Sequence, residues 1–179
     1  MNYSALPILE TEHLILRPIT LADAEAIFAY AQDPEVSRLL SWDPSTSLEQ
    51  VKESIEKWRV SYQENKEAPW GIVDKESNRV IGTFDVRHYD AAHHTAEIAY
   101  CLAQDFWGRG LMVEAIMRVI DYLFTQTDIF EVSAFVRTDN PQSQRVCEKS
   151  GMHQDPNGTK REYIKGASVD LERWVIRKD

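Results

Sequence analysis

Gly108-Arg109-Gly110 places an arginine between two glycines immediately before a helical pattern begins at Leu111. That spacing suits anion binding. Glycine takes positive φ without penalty and lets backbone come close to a ligand. The first N–H groups of the following helix point outward at its positive end. Arg109 can add a charge-assisted contact. Before the glycines, Ala96, Ile98, Tyr100 and Leu102 alternate with Glu97, Ala99 and Cys101, a strand pattern that breaks at Ala103-Gln104-Asp105. After them, Ala115, Ile116, Val119, Ile120 and Leu123 recur at helical spacing. Strand, glycine turn and helix start together form a phosphate cradle; the plainer reading is an ordinary strand–turn–helix corner.

Other cradles fit less well. No Gly-Lys-Ser/Thr follows the loop, which argues against a P-loop nucleotide site. A dinucleotide fingerprint would need a third glycine inside an early parallel βαβ unit, and neither is present.

The chain has 179 residues, so a single domain spanning 1–179 is expected. Its hydrophobic content of 43% and charged content of 27% are those of a globular protein. A net charge of −9 argues against a nucleic-acid surface and suits a cationic acceptor such as an amine, although solubility alone explains it as well. Cys101 and Cys147, the two cysteines, make neither a disulfide framework nor a metal site, and a reducing, cytoplasmic compartment is expected. No apolar run approaches the ~18 residues of a membrane span, and the N-terminus lacks the pattern of a signal peptide.

The rest of the chain supplies the elements around the loop. His13 to Ile19 reads as a first strand. Thr20 caps a helix with Asp23 as capping-box partner, ending near Asp33-Pro34. Leu48, Val51, Ile55, Trp58 and Tyr62 mark a long amphipathic helix. Three strands follow, over 68–73, 79–89 and 95–102, then the loop helix to about Gln126 and a fifth strand over 129–137. Asn140-Pro141 opens a helix that Gly151 closes. Residues 159–164 and 168–176 read as a final hairpin.

Two segments carry a family resemblance. Trp107-Gly108-Arg109-Gly110-Leu111-Met112 resembles the R/Q-x-x-G-x-G/A acetyl-CoA motif of the GNAT N-acetyltransferases, with Trp107 in place of Arg/Gln and Met112 in place of the small last residue. Phe106 to Ala115 is closer still to the (F/Y)WG(K/R)G-x-x-x-EA signature of the RimJ/RimL-type branch. Asn140 to Met152 is similar to that branch's N-x-x-S-x-x-(V/L)-x-(E)-K-x-G-(F/M) segment. The element order matches too, from Leu14 to Ile176. The resemblance implies an α/β GNAT fold. Its central sheet would be mostly antiparallel, of about seven strands flanked by about four helices. It would splay between the fourth and fifth strands, where the cofactor enters.

It also implies a reaction: transfer of acetyl from acetyl-CoA to a primary amine, by direct attack in a ternary complex. Backbone N–H groups near Tyr100 and Leu102 would hold the pantetheine arm and thioester oxygen. The loop from Trp107 to Met112 would hold the pyrophosphate. Asn140 would both cap its helix and bond the pantetheine, and Ser143 would face the sulfur as general acid. A base is also needed. A lysine amine costs about 4.6 kcal/mol to deprotonate at pH 7, an α-amine near 7.8 only about 1. Glu97, beside small residues on a central strand, is the first candidate; an ion pair with Arg87 or Arg137 explains it equally. His88 is the better titrating group but reads as a packed core residue, its face shared with Phe84 and Val86. His93 and His94 read as solvated turn residues; Tyr100 and Tyr163 are alternative proton donors that read more simply as packing; and Cys101 reads as a small hydrophobe rather than an acyl carrier. No metal is expected.

The acceptor is either a protein N-terminus, ribosomal proteins being the branch's example, or a small amine. A cleft lined by the first two helices and the last hairpin would receive it, with Trp42, Trp58, Trp70 and Trp174 either lining it or lying in the core. A CoA-binding sensor without turnover is the alternative of a different class. No nucleic-acid or membrane partner is expected, and homodimerisation is left open.

Overall fold

Caps and breakers place the helices. In the computed structural model, which describes residues 1–178, the Thr20 N–H donates to Asp23 Oδ2 at 2.8 Å, closing a 3-10 turn that feeds helix α1 (Ala24–Ala31). Asp33 caps a short α2 (Pro34–Ser37) through the Glu35 N–H at 2.9 Å. Ser47 Oγ accepts from the Gln50 N–H at the start of α3 (Leu48–Gln63). Each acceptor satisfies an N–H that the helix itself leaves open.

The strands are β1 (Leu9–Glu10), β2 (Leu14–Pro18), β3 (Trp70–Asp74), β4 (Arg79–Asp90), β5 (Thr95–Leu102), β6 (Glu131–Arg137), β7 (His153–Ile164) and β8 (Ala167–Arg177). The remaining helices are α4 (Leu111–Gln126) and α5 (Pro141–Lys149). Among the described residues the eight strands form one sheet in the order β1-β2-β3-β4-β5-β6-β8-β7. The parallel pairing is β5 with β6, and it runs only over Thr95–Glu97 against Glu131–Ser133. β5 continues five residues beyond that ladder.

The chain packs as two compact units, Met1–Val86 with Tyr100–Leu111, and Arg87–Ala99 with Met112 onward. The core of the first holds Ile19, Ile27, Tyr30, Val51 and Ile55, with Trp42, Trp58 and Trp107 partly buried against it. Trp70 is fully buried and its Nε1 donates to the Pro7 carbonyl at 2.7 Å. Gly82 has no room for a side chain: an added Cβ would lie 2.2 Å from the Cys101 carbonyl oxygen. In the second unit, β6 pairs β8 along its full length, Glu131 with Arg177 through Arg137 with Leu171. Arg173 joins Glu131 and Asp155 across these strands, and Arg177 Nε also reaches Glu131 at 2.7 Å.

Among the described residues the sheet has eight strands, in keeping with the expected number of about seven; Leu9–Glu10 adds an edge too short to show a period. Five α-helices, among the described residues, stand where about four are expected; Pro34 starts the short α2 rather than preventing it. β7 begins at His153, not Thr159: it passes through a register shift between Asp155 and Thr159 that keeps Pro156-Asn157-Gly158 inside the strand. His88 is not a core residue. It is exposed at φ +47°, where the alternation of β4 breaks after buried Val86.

Candidate active site

Within the first unit, β5 ends at Leu102 and the chain turns through a 3-10 turn, Gln104–Phe106. The Ala103 N–H donates to the Ile81 carbonyl at 2.7 Å, holding the turn against β4. The indole Nε1 of Trp107 donates back to the Leu102 carbonyl at 2.7 Å. The loop beyond is exposed. Gly108 (φ +74°) and Gly110 (φ +81°) both take the left-handed conformation, and nothing lies within 4 Å of where a Cβ would stand on either. The loop therefore has two backbone positions bare of side chains and open room above them. Arg109 is exposed between them, its guanidinium 5.0 Å from the Phe106 ring centroid. This arrangement fits a diphosphate-bearing ligand such as CoA: bare backbone for close approach, an exposed cation, and the helix start at Leu111.

Tyr100 is half-buried and stacks on Phe84 with centroids 6.1 Å apart, so packing accounts for its ring. Cys101 is buried but not in purely apolar surroundings. The Thr83 hydroxyl lies 3.2 Å from its sulfur, and the wholly buried Tyr30 hydroxyl is hydrogen-bonded to it. Burial pushes the Tyr30 hydroxyl well above its ordinary range, and Cys101 and Asp85 push it the same way. Burial likewise pushes Tyr62 up to about 12, and its hydroxyl bonds the Pro69 carbonyl. Both hydroxyls therefore stay protonated near neutral pH. This polar cluster was not visible in the sequence, since Thr83, Cys101 and Tyr30 are far apart along the chain.

Within the second unit, Glu97 is half-buried on β5, with Ser133 as its partner across the parallel ladder. Of the two arginines that would explain it as an ion pair, Arg137 is taken by Asp139, bidentate at 2.8 and 2.7 Å. Asn140 caps α5, its Oδ1 accepting from the Ser143 N–H at 3.1 Å. Pro141 fills the first helical position. Ser143 is half-buried in the first turn. Met112 is 7% exposed and Ala115 and Ile116 are fully buried, so the large Met112 side chain belongs to the packing of α4. Glu114 is the acidic residue of the first turn of α4.

The structure also places the remaining candidates. His93 and His94 are exposed turn residues; His93 Nδ1 lies 2.7 Å from Asp90 Oδ2, and His94 Nδ1 lies 2.8 Å from the Asp128 carbonyl. Tyr163 is 77% exposed near the tip of the last hairpin and does not pack as expected. Trp174 is half-buried and donates to Glu172. Among the described residues no group of His, Cys, Asp and Glu could hold a metal, and no helix is long and apolar enough to cross a membrane.

Residues 13–153 match the family model described as the acetyltransferase (GNAT) domain, a stretch that runs through both units. The N-acetyltransferase YoaA of Bacillus subtilis (strain 168), itself uncharacterized, is 37% identical over 174 residues, covering 96% of this chain and 97% of its own. The ribosomal-protein-serine acetyltransferase of Escherichia coli (strain K12) is 23% identical over 136 residues, covering 76% of this chain and 75% of its own. The solved structure of RimL, a ribosomal L7/L12 alpha-N-protein acetyltransferase in complex with coenzyme A, is similar with a TM-score of 0.83 at 20% identity, covering 97% of this chain and 99% of that one. At that identity the likeness concerns the fold alone.

Proposed function

This chain belongs to the GNAT acetyltransferase family, and from that premise we propose an acetyl-CoA-dependent enzyme whose acceptor is the N-terminal α-amine of a protein. That it is an N-acetyltransferase acting on an amine follows from the family. The observation that carries the cofactor reading is the loop: two glycines at positive φ, with open space above both and Arg109 between them. The acceptor reading is supported by the RimJ/RimL-type signatures at 106–115 and 140–152 and by the name of the E. coli relative. We read 1–179 as one catalytic domain, because the family match spans both units.

Gly108, Gly110 and Leu111 offer backbone N–H groups to the diphosphate, and Arg109 adds its charge. Trp107 fixes the turn that presents them, while Met112 supports the helix from within. Backbone donors near Tyr100 and Leu102, beyond the end of the β5–β6 ladder, bond the pantetheine arm and the thioester oxygen. Asn140 keeps its Nδ2 hydrogens for the same arm, since Oδ1 already serves Ser143. Acetyl-CoA supplies an activated acyl group. Glu97 takes the proton that the acceptor ammonium must lose before its nitrogen bonds the acyl carbon. As the carbon–sulfur bond breaks, Ser143 gives its hydroxyl proton to the leaving thiolate and regains one from the acylated nitrogen, which must shed a second proton to become the amide. An α-amine needs the least help from a base, about 1 kcal/mol at pH 7.

Calorimetry with acetyl-CoA, beside thiol release with N-terminal peptides, polyamines, free lysine and aminoglycosides, tests this reading. Binding with turnover on peptides supports it. Turnover on polyamines alone would move the acceptor to small amines. Binding without turnover on any acceptor would favour the sensor.

A further inference from the structure

A cavity of about 160 Å³ in the first unit has no part in the reaction described above. Its lining includes an apolar group, the buried Val80 and Ile81 with Ala26, Ala103 and Phe106. Its rim is charged. Asp33 follows α1, Arg79 opens β4, and Asp105 lies in the 3-10 turn before the loop. The Arg79 and Asp105 side chains are exposed, and among the described residues neither makes an ion pair or hydrogen bond. Asp33 spends one oxygen, Oδ1, on its helix cap.

A charge set of one guanidinium and two carboxylates beside an apolar group selects its ligand. A phosphate would meet two carboxylates beside its one arginine. A diamine would leave one ammonium facing Arg79. A zwitterion satisfies all three: its carboxylate takes the guanidinium fork, and its ammonium lies between Asp33 and Asp105. The size agrees, since an apolar cavity of about 150 Å³ admits benzene. We propose that this cavity binds a free α-amino acid with a small apolar side chain, and that its occupant steadies the turn leading into the Gly108–Gly110 loop.

The second half of the proposal follows from shared residues. Gln104, Asp105 and Phe106 line the cavity and also form the turn. The Trp107 N–H donates to the Gln104 carbonyl at 3.0 Å, and Arg109 lies over the Phe106 ring. An occupant that restrains these residues restrains the loop, so the amino acid and acetyl-CoA raise each other's affinity. This coupling, unlike the binding itself, rests on the loop holding acetyl-CoA.

The test is calorimetric titration of the full chain with the standard amino acids, with inorganic phosphate and putrescine as comparators. A small apolar amino acid should bind saturably below about 1 mM. Arg79→Gln and Asp105→Asn should each weaken it about tenfold or more, because each removes a charged partner, while their unfolding midpoints stay at the parent's. The N-acetylated amino acid and its amide should fail to bind. Absence of saturable binding by any amino acid, affinity unchanged in both variants, or preference for phosphate or putrescine would overturn the site. Acetyl-CoA titrated with the amino acid at saturation should bind severalfold tighter. Unchanged acetyl-CoA affinity would overturn the coupling, whereas loss of all acetyl-CoA binding would overturn the functional reading and leave the site standing on its own titration.

Discussion

Trp107 Nε1 donates to the carbonyl of Leu102 at 2.7 Å, and this bond ties the start of the glycine loop to the end of β5. The ring also packs against the core of the first unit. Trp107→Phe keeps much of the packing and loses the bond. It should raise the KM for acetyl-CoA severalfold while costing about 1 kcal/mol of stability, read by chemical denaturation. An unchanged KM would mean that the indole bond does not set the loop.

The glycines divide by the reason each is glycine. Gly108 and Gly110 have free space but positive φ, so Gly108→Ala and Gly110→Ala cost only backbone strain, about 1 kcal/mol each. Both variants should fold and bind acetyl-CoA more weakly, and Gly110→Trp should abolish binding. Gly82→Ala is different, because its Cβ would meet the Cys101 carbonyl at 2.2 Å. That variant should be largely unfolded by circular dichroism. A folded, stable Gly82→Ala would contradict the close approach of β4 and β5 described here.

Asp23 and Arg17 form a bidentate pair at 2.7 and 2.8 Å. Burial pulls the Asp23 carboxyl up, but the Arg17 and Thr20 bonds together outweigh it and hold the group below its ordinary value. A carboxyl depressed in the folded state binds fewer protons there than in the unfolded chain. Its stabilisation is therefore present above the unfolded value near 3.9 and is lost as pH falls through the folded one. Arg17→Met should cost about 2 kcal/mol at pH 7 and flatten this part of the acid unfolding curve. A variant whose Tm falls with acid as steeply as the parent's would remove Asp23 from the pH account.

Glu97→Gln tests the base. The loss of rate should be greatest near neutral pH and should shrink above the amine's own pKa, where the acceptor is already neutral. A loss that is flat across pH would leave Glu97 a structural residue of β5.

The sequence disclosed the loop because glycine at positive φ and a helix start leave a local trace, and Asn140-Pro141 did the same for α5. What it hid depends on contacts between distant residues. The Trp107–Leu102 bond looked like a departure from a motif until the turn at 104–106 brought donor and acceptor together. The sequence pattern starts the last hairpin at Thr159, yet β7 takes in Pro156-Asn157-Gly158 as well, because pairing with β8 on both sides of the register shift overrides local preference. His88 misled because period-2 alternation assumes an unbroken pleat, and the positive φ at His88 breaks the alternation of β4 after Val86. The cavity beside Phe106 draws on α1, β4 and the 3-10 turn, which no local pattern links.

The central claim, acetylation of a protein N-terminal amine, is tested most directly with paired peptides. One would carry a free N-terminal serine and an internal lysine, and its partner would be the same peptide with a blocked N-terminus. Thiol release from acetyl-CoA would be followed together with mass spectrometry of the product. The account predicts release with the free peptide alone, and one acetyl group on its α-nitrogen. Equal release with the blocked peptide, or acetyl found on the lysine, would contradict it.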